Sequence, residues 1–286
     1  VEHLLPTSTD TSDTHWRVNT ATHGWNRIDW AELWSYRELL YFLMWKEVKV
    51  RYKQTALGVT WAILQPVMTM VVFSVFFGRL AGLGHTTGGI PYPVYVYAGL
   101  LPWTFFSGAV NNATNSLVGN SNLITKVYFP RTMIPLATII AGLVDLAMST
   151  GVFLLLMLYY RVPISWHVIV VPVLLVGTIL AASGVGLLFA ALTVAYRDFR
   201  YVVPFTIQIW MFATPVIYPS SIVPKAWRGI LALNPMTGIL DGFRWAFLNG
   251  RIDWTEIAIA FGVALVLFWI GVGYFRSVER RFADII

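Results

Sequence analysis

The chain contains no cysteine. Disulfides, thiolate nucleophiles and cysteine-ligated metals are therefore excluded. Histidine is also sparse, five in 286 residues, and none forms an HxxxH or HExxH pair, so no metal site is expected. No GxxxxGK[ST] occurs, which leaves nothing to cradle ATP phosphates as a P-loop does. GxSxG is missing too, and no paired carboxylates or Asp-rich stretch falls on a loop between apolar segments. No catalytic residue is assigned, and a membrane enzyme of glycan assembly would need a constellation that the sequence lacks.

Charge is the other shortage. Asp, Glu, Lys and Arg make up 12% of the chain, about half of what soluble domains carry. In their place, 57% of residues are hydrophobic and 15% aromatic, with a mean hydropathy of +0.65. The bilayer is the solvent for most of this protein. Its length holds about six spans plus loops, with little room for a separate soluble domain. The net charge of +6 fits topogenic Lys/Arg and contact with anionic membrane lipids, and no nucleic-acid partner is expected.

The organising stretch is RYKQTALGVTWAILQP, Arg51 to Pro66, where clustered positive charge runs directly into an uncharged segment. That segment predicts a first span over about 55–78. Lys46, Lys49, Arg51 and Lys53 stand before it and mark its cytoplasmic side. Ahead of it, residues 1–27 form a polar tail without a signal-like apolar region. Residues 30–53 read as an amphipathic helix in the headgroup layer, with Trp34, Tyr41, Met44, Trp45, Val48 and Tyr52 on one side and Lys46, Lys49 and Lys53 as a basic stripe. Such a helix either anchors the first span or helps to capture an anionic lipid-linked substrate.

Further spans are predicted at about 94–118, 134–160, 166–195, 202–217 and 257–275. The second carries a polar patch, Asn111, Asn112, Thr114, Asn115 and Ser116, which either glues helices together or lines a wet path. The third is interrupted by Asp145, the one carboxylate well inside a predicted span, either a functional group or a satisfied interhelical bond. In the fourth, Gly177, Ser183, Gly184 and Gly186 are positions where helices can approach closely. Between Lys225 and Leu248 lie two segments too short to cross, split at Asn234-Pro235, which read as re-entrant helices on the outer side. With both termini cytoplasmic, fourteen of the twenty Lys/Arg fall inside and six outside, as the positive-inside rule requires. The fold class is an all-α membrane protein of six transmembrane helices. Aromatics within or beside spans (Trp61, Phe73, Phe76, Phe77, Phe105, Phe106, Trp210, Phe212) either pack or offer flat faces to sugars.

Four ordered motifs, WSYRELLYFLMWKEVKVRYKQTALGVTWAILQP, LITKVYFPRTMIPLA, LNPMTGILDGFRWAFLNG and ERRFADII, give the chain a resemblance to the polysaccharide-export permeases of the type 2 ABC transporter superfamily. The likeness covers all but the first 25 or so residues. It implies a permease subunit over residues 28–286, moving undecaprenyl-diphosphate-linked polysaccharide of the O-antigen type across the bacterial inner membrane. Wall teichoic acid, capsule, or a small lipid or drug are the alternative cargoes within the same fold. The resemblance further implies a second copy of the chain and two ATPase subunits that bind ATP and magnesium, with no cofactor in this chain. Asn120 to Tyr128 would be the coupling helix that meets the ATPase, through Asn120, Ser121, Asn122, Leu123, Ile124 and Lys126, with Phe129 and Arg131 beside them. Trp45, Lys46, Lys49, Arg51 and Lys53 would form the interface helix. Lys225 to Leu233 and Met236 to Leu248 would be outer gate helices, and Trp61, Asn112, Asn115 and Trp210 would line a channel.

Overall fold

The computed structural model describes residues 34–53, 58–126, 129–250, 252–279 and 282. The predicted tail, the first residues of the amphipathic helix, and positions 127 and 128 of the coupling segment lie outside that set. Among the described residues the fold is all helical: α1 (Arg37–Lys53), α2 (Gly58–Phe73), α3 (Tyr92–Gly119), α4 (Ser121–Lys126), α5 (Met133–Tyr159), α6 (Val171–Ala195), α7 (Phe199–Ala213), α8 (Lys225–Ala232), α9 (Pro235–Leu248) and α10 (Trp254–Val278).

The helix ends follow local chemistry. Asn234 caps α9, its Oδ1 accepting the Met236 N–H at 3.1 Å with Pro235 at the first helical position, an arrangement that satisfies one orphan donor and uses a residue with no N–H to lose. Asn249 closes the same helix in the left-handed region, φ 56°. Asp253 caps α10 by accepting from Thr255 N–H at 2.9 Å.

Among the described residues four helical segments are long and apolar enough to cross a membrane: Thr60–Leu80, Met133–Tyr159, Trp166–Ala195 and Trp254–Val278. Two of the six predicted spans differ for separate reasons. The 28 residues of α3 reach about 42 Å, but tyrosines and asparagines dilute its hydropathy. Helix α7 is 15 residues, about 22 Å, and stops at Ala213 rather than 217. Pro215 forces the residue before it out of the helical region, and Thr214 is extended, ψ 141°.

Helix α3 is the axis of the bundle. Val94, Val96, Tyr97, Ala98, Phe106, Val110, Ala113 and Leu117 have no exposed surface, and α5, α6 and α9 pack around it. Helices α6 and α10 meet at two glycines: a Cβ on Gly271 would stand 2.0 Å from the Gly184 carbonyl oxygen, so only the absence of side chains permits this crossing. Gly177 likewise faces the Phe261 ring. By contrast, α2 and α7 present large apolar side chains outward, among them Trp61, Met68 and Val72 on α2 and Phe205, Ile209 and Phe212 on α7.

The two ends of the bundle are distinct. At one, Leu43, Leu117, Ile124, Phe129, Met133, Val194, Phe275 and Phe282 form a compact apolar cluster that gathers α1, α4 and the adjoining ends of α3, α5, α6 and α10. At the other, α9 lies beside the start of α3 and α8 packs against α9 and α10, with the Tyr92 hydroxyl donating to the Ile217 carbonyl at 2.7 Å.

Candidate functional site

The cluster at the α4 end explains how α1 is held. Leu43 and Val48 are its buried residues, whereas Trp34, Tyr41 and Trp45 are exposed. Val48 and Met44 of the apolar side read from the sequence thus face the protein, whereas its Trp34, Tyr41 and Trp45 turn outward beside the basic residues, free for lipid. Lys49 sits 5.7 Å from the centre of the Trp45 ring, and Lys53 is exposed.

Arg51 and Tyr52, at the end of α1, both reach α5 and donate to the two carboxylate oxygens of Asp145. The Arg51 and Asp145 side chains remain 28% and 32% exposed, because they stand on the wall of a cavity of about 780 Å³. Helix α2 contributes Trp61 and Gln65 to it, and α3 contributes Asn111 and Asn112. Its volume is within the usual range for small-ligand sites.

The polar patch of α3 resolves one alternative left open by the sequence. Asn111 donates to the Ser107 carbonyl at 2.9 Å, Asn115 to the Asn111 carbonyl at 3.0 Å, and Thr114 to the Val110 carbonyl at 2.7 Å. These groups bond back onto their own helix, so they are not holding two helices together. The Asn111 Oδ1 is buried without a hydrogen-bond partner, in a residue that lines the cavity. Gln65, Asn112 and the Arg51–Asp145 pair give that lining donors and acceptors beside an indole that is 57% exposed. Such a surface suits hydroxyl-rich or polar cargo.

Not all predicted lining residues meet here. Asn115 lies one turn below Asn111 and does not line the cavity. Trp210 is on α7 with its ring edge-on to Phe106, centroids 5.2 Å apart. Within one chain the structure does not bring Trp210 and Trp61 to a common space.

The predicted coupling residues form one patch. Helix α4 covers Ser121, Asn122, Leu123, Ile124 and Lys126, with Ile124 buried in the end cluster and Asn122 and Lys126 exposed. Asn120 ends α3, and Lys46 of α1 donates to its Oδ1 at 2.6 Å, so α1 and α4 are strapped together. Phe129 is buried in the same cluster. The Arg131 N–H donates to Glu279 Oε1 at 2.9 Å while its guanidinium reaches the Glu279 carbonyl, fastening this loop to the end of α10.

Sequence reasoning missed Arg244, counted there only as one of the outer charges. It is 5% exposed, pairs with Asp241 at 3.2 Å, donates to the Val216 carbonyl at 2.7 Å, and lies 4.1 Å from the centre of the Tyr95 ring. Gly99 makes room for it: a Cβ there would be 2.7 Å from Nη2. The available signal was an arginine four residues before the end of an otherwise apolar segment, with an aspartate one turn earlier.

A bundle of long apolar helices, with a cavity of mixed polar and apolar lining beside a basic end helix and a short exposed helix strapped to it, fits a membrane transport subunit. The chain belongs to the ABC-2 type transporter family, whose model matches residues 38–248. It is 32% identical over 259 residues to the O-antigen export system permease protein RfbA of Myxococcus xanthus, covering 89% of this chain and 98% of that one. It is 29% identical to the protein of that name from Klebsiella pneumoniae, over 87% of this chain and 95% of that one. The polysialic acid transport protein KpsM of Escherichia coli is 26% identical over 83% of this chain and 92% of its own length.

Proposed function

We propose that this chain is the membrane subunit of an ATP-driven exporter that moves a lipid-linked polysaccharide of the O-antigen type across the bacterial inner membrane. The end-to-end match to O-antigen export permeases carries the reading. The cavity is compatible with it, because its lining mixes Trp61, Phe105 and Leu146 with Gln65, Asn112 and the Arg51–Asp145 pair, so that rings can meet the C–H faces of a sugar while the polar groups meet its hydroxyls.

In this reading α1 and α4 face the cytoplasm, as do both termini. Two copies associate through the outward apolar surfaces of α2 and α7 and enclose the path. The exposed side of α4, with Asn122 and Lys126, meets a separate ATPase, two per complex, which binds the ATP and magnesium. Closing of the ATPases acts on α4, and the Lys46–Asn120 strap passes that movement to α1 and so to Arg51 and Asp145 at the cavity. The drive must come from unequal binding of the two permease states by the ATP-bound ATPase, since equal binding shifts nothing. Arg51 and the basic stripe of α1 attract the diphosphate headgroup of the cargo lipid.

The test is co-expression with the ATPase encoded beside it, in a strain lacking its own transporter. A stable complex that restores surface polysaccharide is the expected outcome. Replacing Lys126 by Glu should lower both export and permease-stimulated ATP hydrolysis. A chain that binds no ATPase and restores no polysaccharide would overturn the reading, and restored capsule alone would move the cargo to the class of the polysialic acid transporter.

A further inference from the structure

The end of the bundle away from Arg51 holds a second cavity, of about 980 Å³, that the mechanism above does not use. It is bounded by the Thr86–Ile90 loop, the turn at Ser221, α9 and the first turn of α10. Its charges are mixed: Asp241, Asp253 and Glu256 supply carboxylates, Arg228 and Arg244 guanidinium groups.

That composition selects among ligands. Among the described residues, three carboxylates against two arginines disfavour a phosphate or another anion. Among the described residues no group of three His, Cys, Asp or Glu is placed to hold a metal ion. An apolar ligand would strip water from these charged groups and offer them no partner in return. A hydroxyl-rich neutral molecule satisfies both signs at once, because each hydroxyl donates to a carboxylate or accepts from an N–H.

A second observation comes from Arg244 itself. Its terminal nitrogens are taken by Asp241 and the Val216 carbonyl, yet its Nε is buried without any acceptor. A buried N–H without an acceptor is an unmet demand in a residue that lines the cavity.

We propose that this cavity is a saccharide-binding site, in which a short neutral stretch of the polysaccharide is held by Asp253, Glu256 and Arg244 as it leaves the membrane. The assignment rests on the export reading for its cargo and its direction. A hold at the exit would disfavour backsliding of the chain between ATPase strokes, and the contacts must stay weak for the chain to advance.

The experiment uses the full chain in nanodiscs and, as probe, delipidated polysaccharide fragments released by mild acid from the organism's own surface. Wild type should bind them saturably, and the Asp253→Asn/Glu256→Gln variant should bind about tenfold more weakly for each carboxylate replaced. Asparagine keeps the acceptor oxygen that caps α10, so the helix start is preserved. Ser221→Trp, which fills the cavity from an exposed turn, should weaken binding without altering a charge. Undiminished binding in both variants, or no binding by a wild-type chain that supports export in cells, would overturn the site and leave the export reading standing. A wild-type chain that exports no polysaccharide would remove both.

Discussion

At the α4 end, Arg51 reaches 94 residues along the chain to Asp145, whereas at the other end Arg244 pairs with Asp241 one turn back on its own helix. Both are arginine–aspartate pairs, and their surroundings give them different uses. Arg244 is buried, with a carboxylate, a backbone carbonyl and a ring face around it. The desolvation of its charge is offset only if all of those contacts persist, so this pair pins α9 to α3 and to the turn after α7. Arg51 and Asp145 keep roughly a third of their surface on a cavity. Water there screens the charges and makes separation cheap, which suits a pair that must rearrange when α1 moves or cargo enters.

The comparison predicts unequal consequences of breaking each pair. Arg244→Met should have the largest effect, a loss of about 2–3 kcal/mol, because it leaves the Val216 carbonyl without its donor and the Asp241 carboxylate, 22% exposed, without its partner. The thermal unfolding midpoint of the purified chain in detergent should fall accordingly. Arg244→Lys should recover part of the loss but not all, since one ammonium cannot serve the two directions that a planar guanidinium serves. A midpoint unchanged by Arg244→Met would show that the buried pair holds nothing.

For Arg51 and Asp145 the expected stability loss is smaller, about 1 kcal/mol for Asp145→Asn. The functional loss should exceed it. A double-mutant cycle with Arg51→Met should give a coupling of at least about 0.5 kcal/mol in stability, while each single variant lowers export by much more than its unfolding midpoint suggests. Coupling indistinguishable from zero, with export intact, would reduce this contact to an incidental surface pair.

How much of this was readable beforehand depends on the range of the interactions. Asp145 stood out as a lone carboxylate in an apolar run, and Gly177, Gly184 and Gly186 as small residues in a span, because each is visible within its own helix. Its partner Arg51 was not, since no local pattern announces a contact 94 residues away. The packing of α1 was only partly legible for a related reason: Leu43 is chosen by the end cluster of α3, α5, α6 and α10, which no local pattern announces, while Trp34, Tyr41 and Trp45 point outward as a helix in the headgroup layer requires. The asparagines of α3 could be noticed but not interpreted, because bonding back to the helix and bonding across it look alike in sequence. The early end of α7 was legible in Pro215 and was placed four residues too far along.

The smallest structural effect should come from the strap between α1 and α4, and it separates stability from transmission most sharply. Asn120 uses its own amide N–H on the Ser116 carbonyl at 2.9 Å, so its Oδ1 is left for Lys46 on the surface. Replacing Lys46 by Met leaves that oxygen to water, and exposed contacts of this kind are worth about 0–1 kcal/mol. The unfolding midpoint should therefore barely move. If the strap carries motion from the ATPase to the Arg51–Asp145 cavity, export per ATP hydrolysed should fall several-fold, and Lys46→Arg, which restores a donor, should recover it. Normal coupling in Lys46→Met would mean that α4 reaches the cavity through the buried contacts of Ile124 and Leu43 instead, and the polar strap would then be dispensable.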